Sequence, residues 1–494
     1  MAATPRREKM SAVDTAWLRM DRPQNLMMIC GVFLFRKRLS LPRLRKVITE
    51  RFLVFKRFKQ RAIEVPAGAF WQTDTHFDID RHVVLTALPG RAGRDELQDL
   101  VSRLSTIPLD PARPMWQFHL VEKYDGGSAL IARMHHSYAD GIALVRVILS
   151  MTDAGPDGPP AMPFAPQPRK RAEPDDAIGQ LLAPLSGVMN TARKVGATLI
   201  EKGAELWSDP TKAVALATQG TALTAELAKM ALMPQDSPTR FKGKAGVGKR
   251  VAWTDPLPLG EVKAIGRALG ASVNDVLLSC VAGALRGYLV DKGDAIADVM
   301  MRALVPVNLR PMEKAYKLGN QFGLVFLDLP IGIENPVERL YAVRANMNAL
   351  KGSFQPVLAL GLLAAMGSGP KVLQEVLLQA LARNASSVMT NVPGPQEPLY
   401  LAGTPIDSLI VWVPQSGDIG MGVSIISYNG AVQFGLITDR TFCPDPERIS
   451  ARFGAEFEKL VLVTLMAPWP RDGELDPDEA AAIAKGSVAK GSER

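Results

Sequence analysis

Residues 115–151 read MWQFHLVEKYDGGSALIARMHHSYADGIALVRVILSM. The first ten alternate apolar with polar side chains, the pattern of a half-buried strand. Gly126 and Gly127 supply a tight turn, SALIARMHH reads as the neighbouring strand, and GIALVRVILSM resumes helical spacing. Paired strands that run straight into an apolar-faced helix demand an α/β layered domain, because the helix needs a sheet on which to bury its stripe. Asp140 and Gly141 then fall at the strand-to-helix junction.

The same alternation organises the rest of the chain. LMMICGVFLF (26–35) reads as a buried strand, and LSLPRLRKVITERFLVF and DELQDLVSRLSTIPLD as helices, the latter stopped by Pro108. Together with the histidine segment they make a first domain over 1–154. Residues 155–174 are rich in proline and polar residues, and 176–233 are Ala-, Leu- and Lys-rich with helical spacing, so 155–240 is expected to be a linker and helical bridge. A second α/β domain spans 241–470. It has a helix near 260–269, a long helix from Asn274, strands at VMMRALVPV and FGLVFLDLP, helices over 336–383, and strands at 406–413, 420–427 and 431–437. The tail, 471–494, is expected to be flexible.

Composition excludes several classes. With 47% hydrophobic and 22% charged residues, the 494-residue chain is globular. Its charge of +8 suits anionic partners such as a phosphorylated co-substrate or an anionic membrane surface. The basic residues are scattered and make no nucleic-acid module. Cys30, Cys280 and Cys443 are odd in number and far apart, so neither a disulfide framework nor a CxxC metal site is expected. No apolar stretch follows the basic N-terminus, so a secretory signal is not expected there. The longest apolar run, Val357 to Gly367, is too short to span a bilayer; the chain is expected to be soluble or to sit on a membrane.

The five histidines are His76, His82, His119, His135 and His136, so any histidine chemistry belongs to the first domain. Adjacent side chains point apart on a strand or a helix, so His135 and His136 do not serve one site as twin ligands. Two readings of HHSYADG stand side by side. In one, the histidines are a buried pair and Asp140 caps the next helix. In the other, one ring is a general base, its neighbour holds the backbone and Asp140 anchors the turn through an arginine. Gly141 would then allow a turn where a side chain collides. A metal is not expected, since no third ligand accompanies His136 and Asp140. GKAGVGKR (243–250) nearly spells a phosphate-binding loop, but Arg250 replaces the required hydroxyl and no apolar strand precedes it. No GxSxG is present, which removes that serine-hydrolase motif.

HHSYADG resembles the HHxxxDG motif of the CoA-dependent acyltransferase superfamily. More closely, the chain resembles the bacterial wax ester synthase/acyl-CoA:diacylglycerol acyltransferase family. The likeness runs through MSAVDTAWLRMDRPQNLMMI (10–29), PLDPARPMW (108–116), SVNDVLLSCVAGALRGYL (272–289), VPVNLRP (305–311), GNQFG (319–323), NVPGP (391–395) and SYNG (427–430), in that order. It implies two chloramphenicol-acetyltransferase-like α/β domains joined by a helical linker, with the active site at their interface.

The resemblance also assigns roles. His136 is the base, beside His135 and Gly141; Asp140 is structural, with Arg310 as its candidate partner. Asn274 and Asp275 match the family's Asn-Asp motif, and Asn274 is a candidate for the carbonyl or oxyanion, or else the N-cap of its helix. Trp116 is expected to pack. Acyl-CoA is the implied co-substrate, with no permanently bound cofactor. The implied acceptor is diacylglycerol or a long-chain alcohol, met at a membrane or lipid-droplet surface. The implied location is the bacterial cytoplasm, peripheral to the inner membrane or to lipid inclusions. An acyltransferase using another alcohol or an amine, and a catalytically silent lipid-droplet-binding relative, are the alternatives.

Overall fold

The computed structural model describes residues 7–66, 68–161, 233–309, 318–351, 353, 355–369, 371–467 and 482–483. The expected linker and bridge fall mostly on 162–232, and the tail mostly on 468–481 and 484–494, outside the described residues. Arg310 is outside them too.

The first half contains α1 (Ala12–Arg19), β1 (Met28–Phe35), β2 (Val83–Thr86), α2 (Arg94–Leu104), β3 (Trp116–Tyr124), β4 (Gly127–His135) and α3 (Gly141–Met151). The hairpin between β3 and β4 turns on Asp125 and Gly126, both at positive φ (47° and 77°). That conformation makes the tight Asp-Gly reversal matching the twist of paired strands. Gly127 is not part of this tip. It opens β4, where a Cβ would overlap the carbonyl oxygen of Phe35, so close backbone approach is what requires glycine there.

The second half contains β5 (Lys249–Trp253), α4 (Leu259–Ala268), α5 (Val273–Asp291), β6 (Met300–Asn308), β7 (Phe322–Pro330), α6 (Pro336–Leu350), α7 (Gln355–Ser368), α8 (Lys371–Asn384), β8 (Ser387–Pro393), β9 (Ser408–Trp412), β10 (Met421–Tyr428), β11 (Ala431–Asp439) and α9 (Glu447–Met466). Its sheet runs β11-β10-β8-β6-β7, with β5 paired to β11. One strand departs from the expected layout. β9, read from sequence as completing the second layer, crosses to the first half, whose sheet runs β9-β1-β4-β3-β2. Leu409 stands opposite Phe33 and Trp412 opposite Cys30. The apolar run SLIVW needs cover on both faces, and its periodicity says nothing about which sheet supplies it.

Each half has its own core, and two further clusters weld them together. One joins Trp17, Met20 and Met27 to Leu304, Phe322 and the α7 residues Leu358, Leu362 and Met366. The other joins Met28, Cys30 and Leu97 to Val251, Trp253, Ile410 and Trp412. The run Val357–Gly367 is thus a core helix rather than a surface contact: Leu358, Leu363, Ala365 and Met366 are each buried. Gly367 lies so close to the Ala12 carbonyl that a Cβ would overlap it. Among the described residues, one helix is long and apolar enough to cross a membrane, α5, and it is mostly buried in the second core.

Candidate active site

β4 stops at His135 because the next amide leaves the ladder: His136 N donates to Met27 O at 2.7 Å. The turn is pinned from below by Tyr138. Its hydroxyl accepts from Met115 N (2.9 Å) and donates to Gln60 O (2.7 Å). His135 pairs across the sheet with Met28. Its Nδ1 accepts the main-chain N–H of Ser137 at 3.2 Å, and its Nε2 lies 3.6 Å from the Asp21 carboxylate. Asp21 in turn accepts Met27 N at 2.6 Å. His135 therefore braces the main chain from which His136 hangs.

The His136 ring faces another environment. Trp17 of α1 stacks on it, centroids 4.1 Å apart, and Phe322 at the start of β7 stands 5.5 Å away. His136 is 4% exposed. Burial, helped by the positive potential of His135, pushes its pKa down to about 3, against the opposing pull of its own carbonyl and Asn320. The resting imidazole is neutral at physiological pH, the form that accepts a proton.

The second half completes the turn through three consecutive residues. Ala139 bridges to Gly319, and Gln321 N donates to Asp140 Oδ2 at 3.1 Å. Asn320 Nδ2 donates to His136 O at 2.9 Å and to Asp14 Oδ1 at 2.8 Å, and Asn320 N reaches the same Asp14 oxygen at 3.1 Å. Burial raises the Asp14 pKa against these hydrogen bonds. Asp140 Oδ1 accepts Ala143 N at 2.9 Å, the N-cap of α3. Asp140 is thus both helix cap and inter-half tie. The expected role of Gly141 is not found: a Cβ there would meet nothing within 4 Å, and its φ is not positive.

Of the two roles open to Asn274, the N-cap is taken by another residue. Ser272, not Asn274, is the N-cap of α5, and Asp275 completes a capping box by accepting Ser272 N at 2.8 Å. Asn274 Oδ1 instead accepts Asn391 Nδ2. Asn391 lies toward the C-terminal end of β8, which runs parallel to β6; the end of β6, Asn308, pairs with Phe322. The asparagine pair and the His136–Phe322 contact therefore share one end of the sheet, although no described hydrogen bond joins them. Trp116 lies apart in the first core, fully buried, its Nε1 donating to Phe58 O at 2.8 Å and its ring stacked on His82.

Asp14, Trp17, Asn320, Gln321 and Phe322 were not singled out by motif reasoning. Each stands in a recognisable block, MSAVDTAWLRMD or GNQFG, but nothing local reveals that 306 residues of chain close to bring Asp14 and Asn320 together. No group of three or more His, Cys, Asp or Glu among the described residues could hold a metal ion. The glycine-rich lead-in is a packing element: Gly246 and Gly248 lie against Thr441 and Arg440, and Lys249 makes a buried pair with Asp439 at 3.2 Å.

Two α/β halves welded around a neutral histidine of an HHxxxDG turn, which both halves hold in place, define an acyltransferase of the chloramphenicol-acetyltransferase type. The sequence pattern of the wax ester synthase/diacylglycerol acyltransferase catalytic domain matches residues 10–277, and that of the WS/DGAT C-terminal domain matches 318–461. The chain belongs to the wax ester synthase/diacylglycerol acyltransferase family and is an O-acyltransferase of that family. It is 28% identical over 464 residues to a Mycobacterium bovis protein that carries the name of a diacylglycerol O-acyltransferase, covering 90% of this chain and 97% of the relative. A second such M. bovis protein is 30% identical over 424 residues, covering 81% and 79%. The fold matches the wax ester synthase/diacylglycerol acyltransferase from Marinobacter aquaeolei VT8 with a TM-score of 0.66 at 22% identity, covering 92% of this chain and 99% of that one.

Proposed function

We propose that the enzyme transfers a long-chain acyl group from acyl-CoA to the hydroxyl of diacylglycerol or of a long-chain alcohol, with His136 as general base. The observation that carries this reading is the buried, neutral His136 ring, stacked on Trp17 at the joint of the two halves. The base takes the acceptor's proton as its oxygen attacks the thioester carbonyl. Collapse of the tetrahedral intermediate expels CoA, and the imidazolium returns the proton to sulfur. A thiol of pKa about 8.5 leaves readily, so this route requires no covalent acyl-enzyme. Asn391 occupies Asn274 Oδ1, which leaves the Asn274 amide hydrogens as donors for the oxyanion. Asp140 positions the turn, with Arg310 as a further partner.

Both implied acceptors are insoluble, so the enzyme works at a bacterial membrane or lipid-inclusion surface without spanning it. The end of α9 suits that contact: Leu462, Leu465 and Met466 are 57%, 76% and 76% exposed and share one helix face. The test is release of CoA thiol from palmitoyl-CoA with hexadecanol and, separately, with diacylglycerol. Turnover with neither, but with an amine or short alcohol, would replace the acceptor class. Binding to lipid droplets with no turnover on any acceptor would make the protein a silent relative.

A further inference from the structure

The site leaves two buried polar atoms without a hydrogen-bond partner among the described residues: His136 Nδ1 and Asn320 Oδ1. Asn320 is 4% exposed. Its amide orientation is fixed by its surroundings, because Nδ2 faces two acceptors, Asp14 Oδ1 and His136 O. Flipping the amide would set oxygen against a carboxylate and a carbonyl. Oδ1 is therefore a buried acceptor in need of a donor. A neutral imidazole carries one N–H; on Nδ1 it meets two acceptors, the residue's own carbonyl, which Asn320 Nδ2 already engages, and Asn320 Oδ1. Buried groups of this kind are rarely left unpaired.

We propose that Asn320 is the positioning residue of the base: its Oδ1 receives His136 Nδ1–H and so keeps Nε2 as the nitrogen that accepts the substrate proton. This rests on the reading of His136 as general base. In the reaction the acceptor's O–H proton moves to Nε2 as the C–O bond forms. The imidazolium then holds two protons, one on Nε2 and one on Nδ1 shared with Asn320 Oδ1. When the C–S bond breaks, the Nε2 proton goes to the thiolate and the ring is again neutral. Asp14 fixes Asn320 at both its main-chain and side-chain nitrogen. The chain Asp14–Asn320–His136 thus closes only when the two halves are docked. An amide in this place steadies the charged ring less than a carboxylate, which suits a base that is neutral at rest.

The test uses the full-length enzyme with palmitoyl-CoA and hexadecanol, comparing wild type, His136→Ala and Asn320→Ala for kcat, KM, pH dependence and melting temperature. Asn320→Ala should lower kcat about 10- to 100-fold, the scale of a lost hydrogen bond to a charged group, with KM nearly unchanged. If that variant does not fold, the exchange variant Asp14→Asn/Asn320→Asp keeps a hydrogen bond between the positions, gives up the donor to His136 O and sets a carboxylate oxygen against Nδ1. Its acid limb should move to higher pH by about one unit or more. A dead His136→Ala beside an Asn320→Ala of normal kcat would overturn the role of Asn320 and leave the base intact. An unmoved acid limb in the exchange variant would do the same. Normal turnover in His136→Ala would instead overturn the base reading itself.

Discussion

The indole of Trp17 lies flat against the imidazole of His136, ring centroids 4.1 Å apart and planes inclined by 22°. The contact joins the first described helix, α1, to the histidine turn. It shuts water from one face of the ring, and with it one route by which the ring would be charged at rest. Replacing Trp17 by Leu should let water reach the imidazole, raise its pKa and bring an acid limb into the pH–rate profile nearer to 6. Trp17→Phe, which keeps an aromatic face, should stay closer to wild type, within roughly tenfold in kcat. A profile unchanged in Trp17→Leu would separate the stack from the ionisation.

The two histidines should fail differently. His136→Ala should lower turnover by about 10² to 10⁴ with the fold retained. His135→Ala removes the acceptor for Ser137 N and the ring beside Asp21, so it should lower the melting temperature more than it lowers kcat. Differential scanning calorimetry beside the CoA-release assay reads both. A larger kcat loss at His135 would reverse the assignment.

Asp140 should act through structure. Each of its carboxylate oxygens takes a main-chain N–H, one from Ala143 and one from Gln321. Asn offers one acceptor in place of two, so Asp140→Asn should cost about 1–2 kcal/mol together with activity. Full stability with selective loss of turnover would make Asp140 a chemical participant. Gly141→Ala, by contrast, places a methyl where nothing lies within 4 Å. It should be neutral or stabilising by up to about 1 kcal/mol.

Acid should destabilise the fold through its buried histidines. His119 is held down to about 4 by burial and Arg133, and His136 to about 3. Between those values and about 6.5, the unfolded chain binds protons that the folded chain refuses. Stability therefore falls as pH drops through this window. For His119 the loss between pH 6.5 and 5 is on the order of 2 kcal/mol. Asp14, raised by burial, works in the opposite sense, so the clean measurement is a difference. Melting temperatures at pH 5 and 7 should diverge less in His119→Gln than in wild type.

Surface attachment should depend on the end of α9. Leu465→Glu/Met466→Glu should weaken binding to anionic vesicles while leaving kcat on detergent-dispersed substrate within about twofold, since these exposed side chains lie outside the cores. Sedimentation with vesicles at low and high salt measures it; attachment should weaken with salt but not vanish where apolar contact contributes. Unchanged binding would place the contact elsewhere.

The sequence by itself determined the local structure and the family. The alternation of 115–135 and the helical spacing of 141–151 fix β3, β4 and α3, because strand and helix periods differ and each must bury its apolar face. The ordered blocks from MSAVDTAW to SYNG mark the family because so many short matches in one order do not arise from composition. What only the tertiary structure decided are the relations between distant segments. β9 carries an apolar run that either sheet could have accepted, and pairing placed it in the first half. Asn274 could by sequence either cap its helix or face the substrate, and only the fold shows that Ser272 takes the cap. Asp14, Trp17 and Asn320 surround His136 because the halves dock, and hydrogen bonds and ring contacts across hundreds of residues leave no periodic trace in the chain. Burial supplied the last term: an imidazole with an ordinary pKa of about 6.5 in water is pushed down to about 3 by being enclosed beside the Trp17 indole, with the charge of His135 adding to the effect.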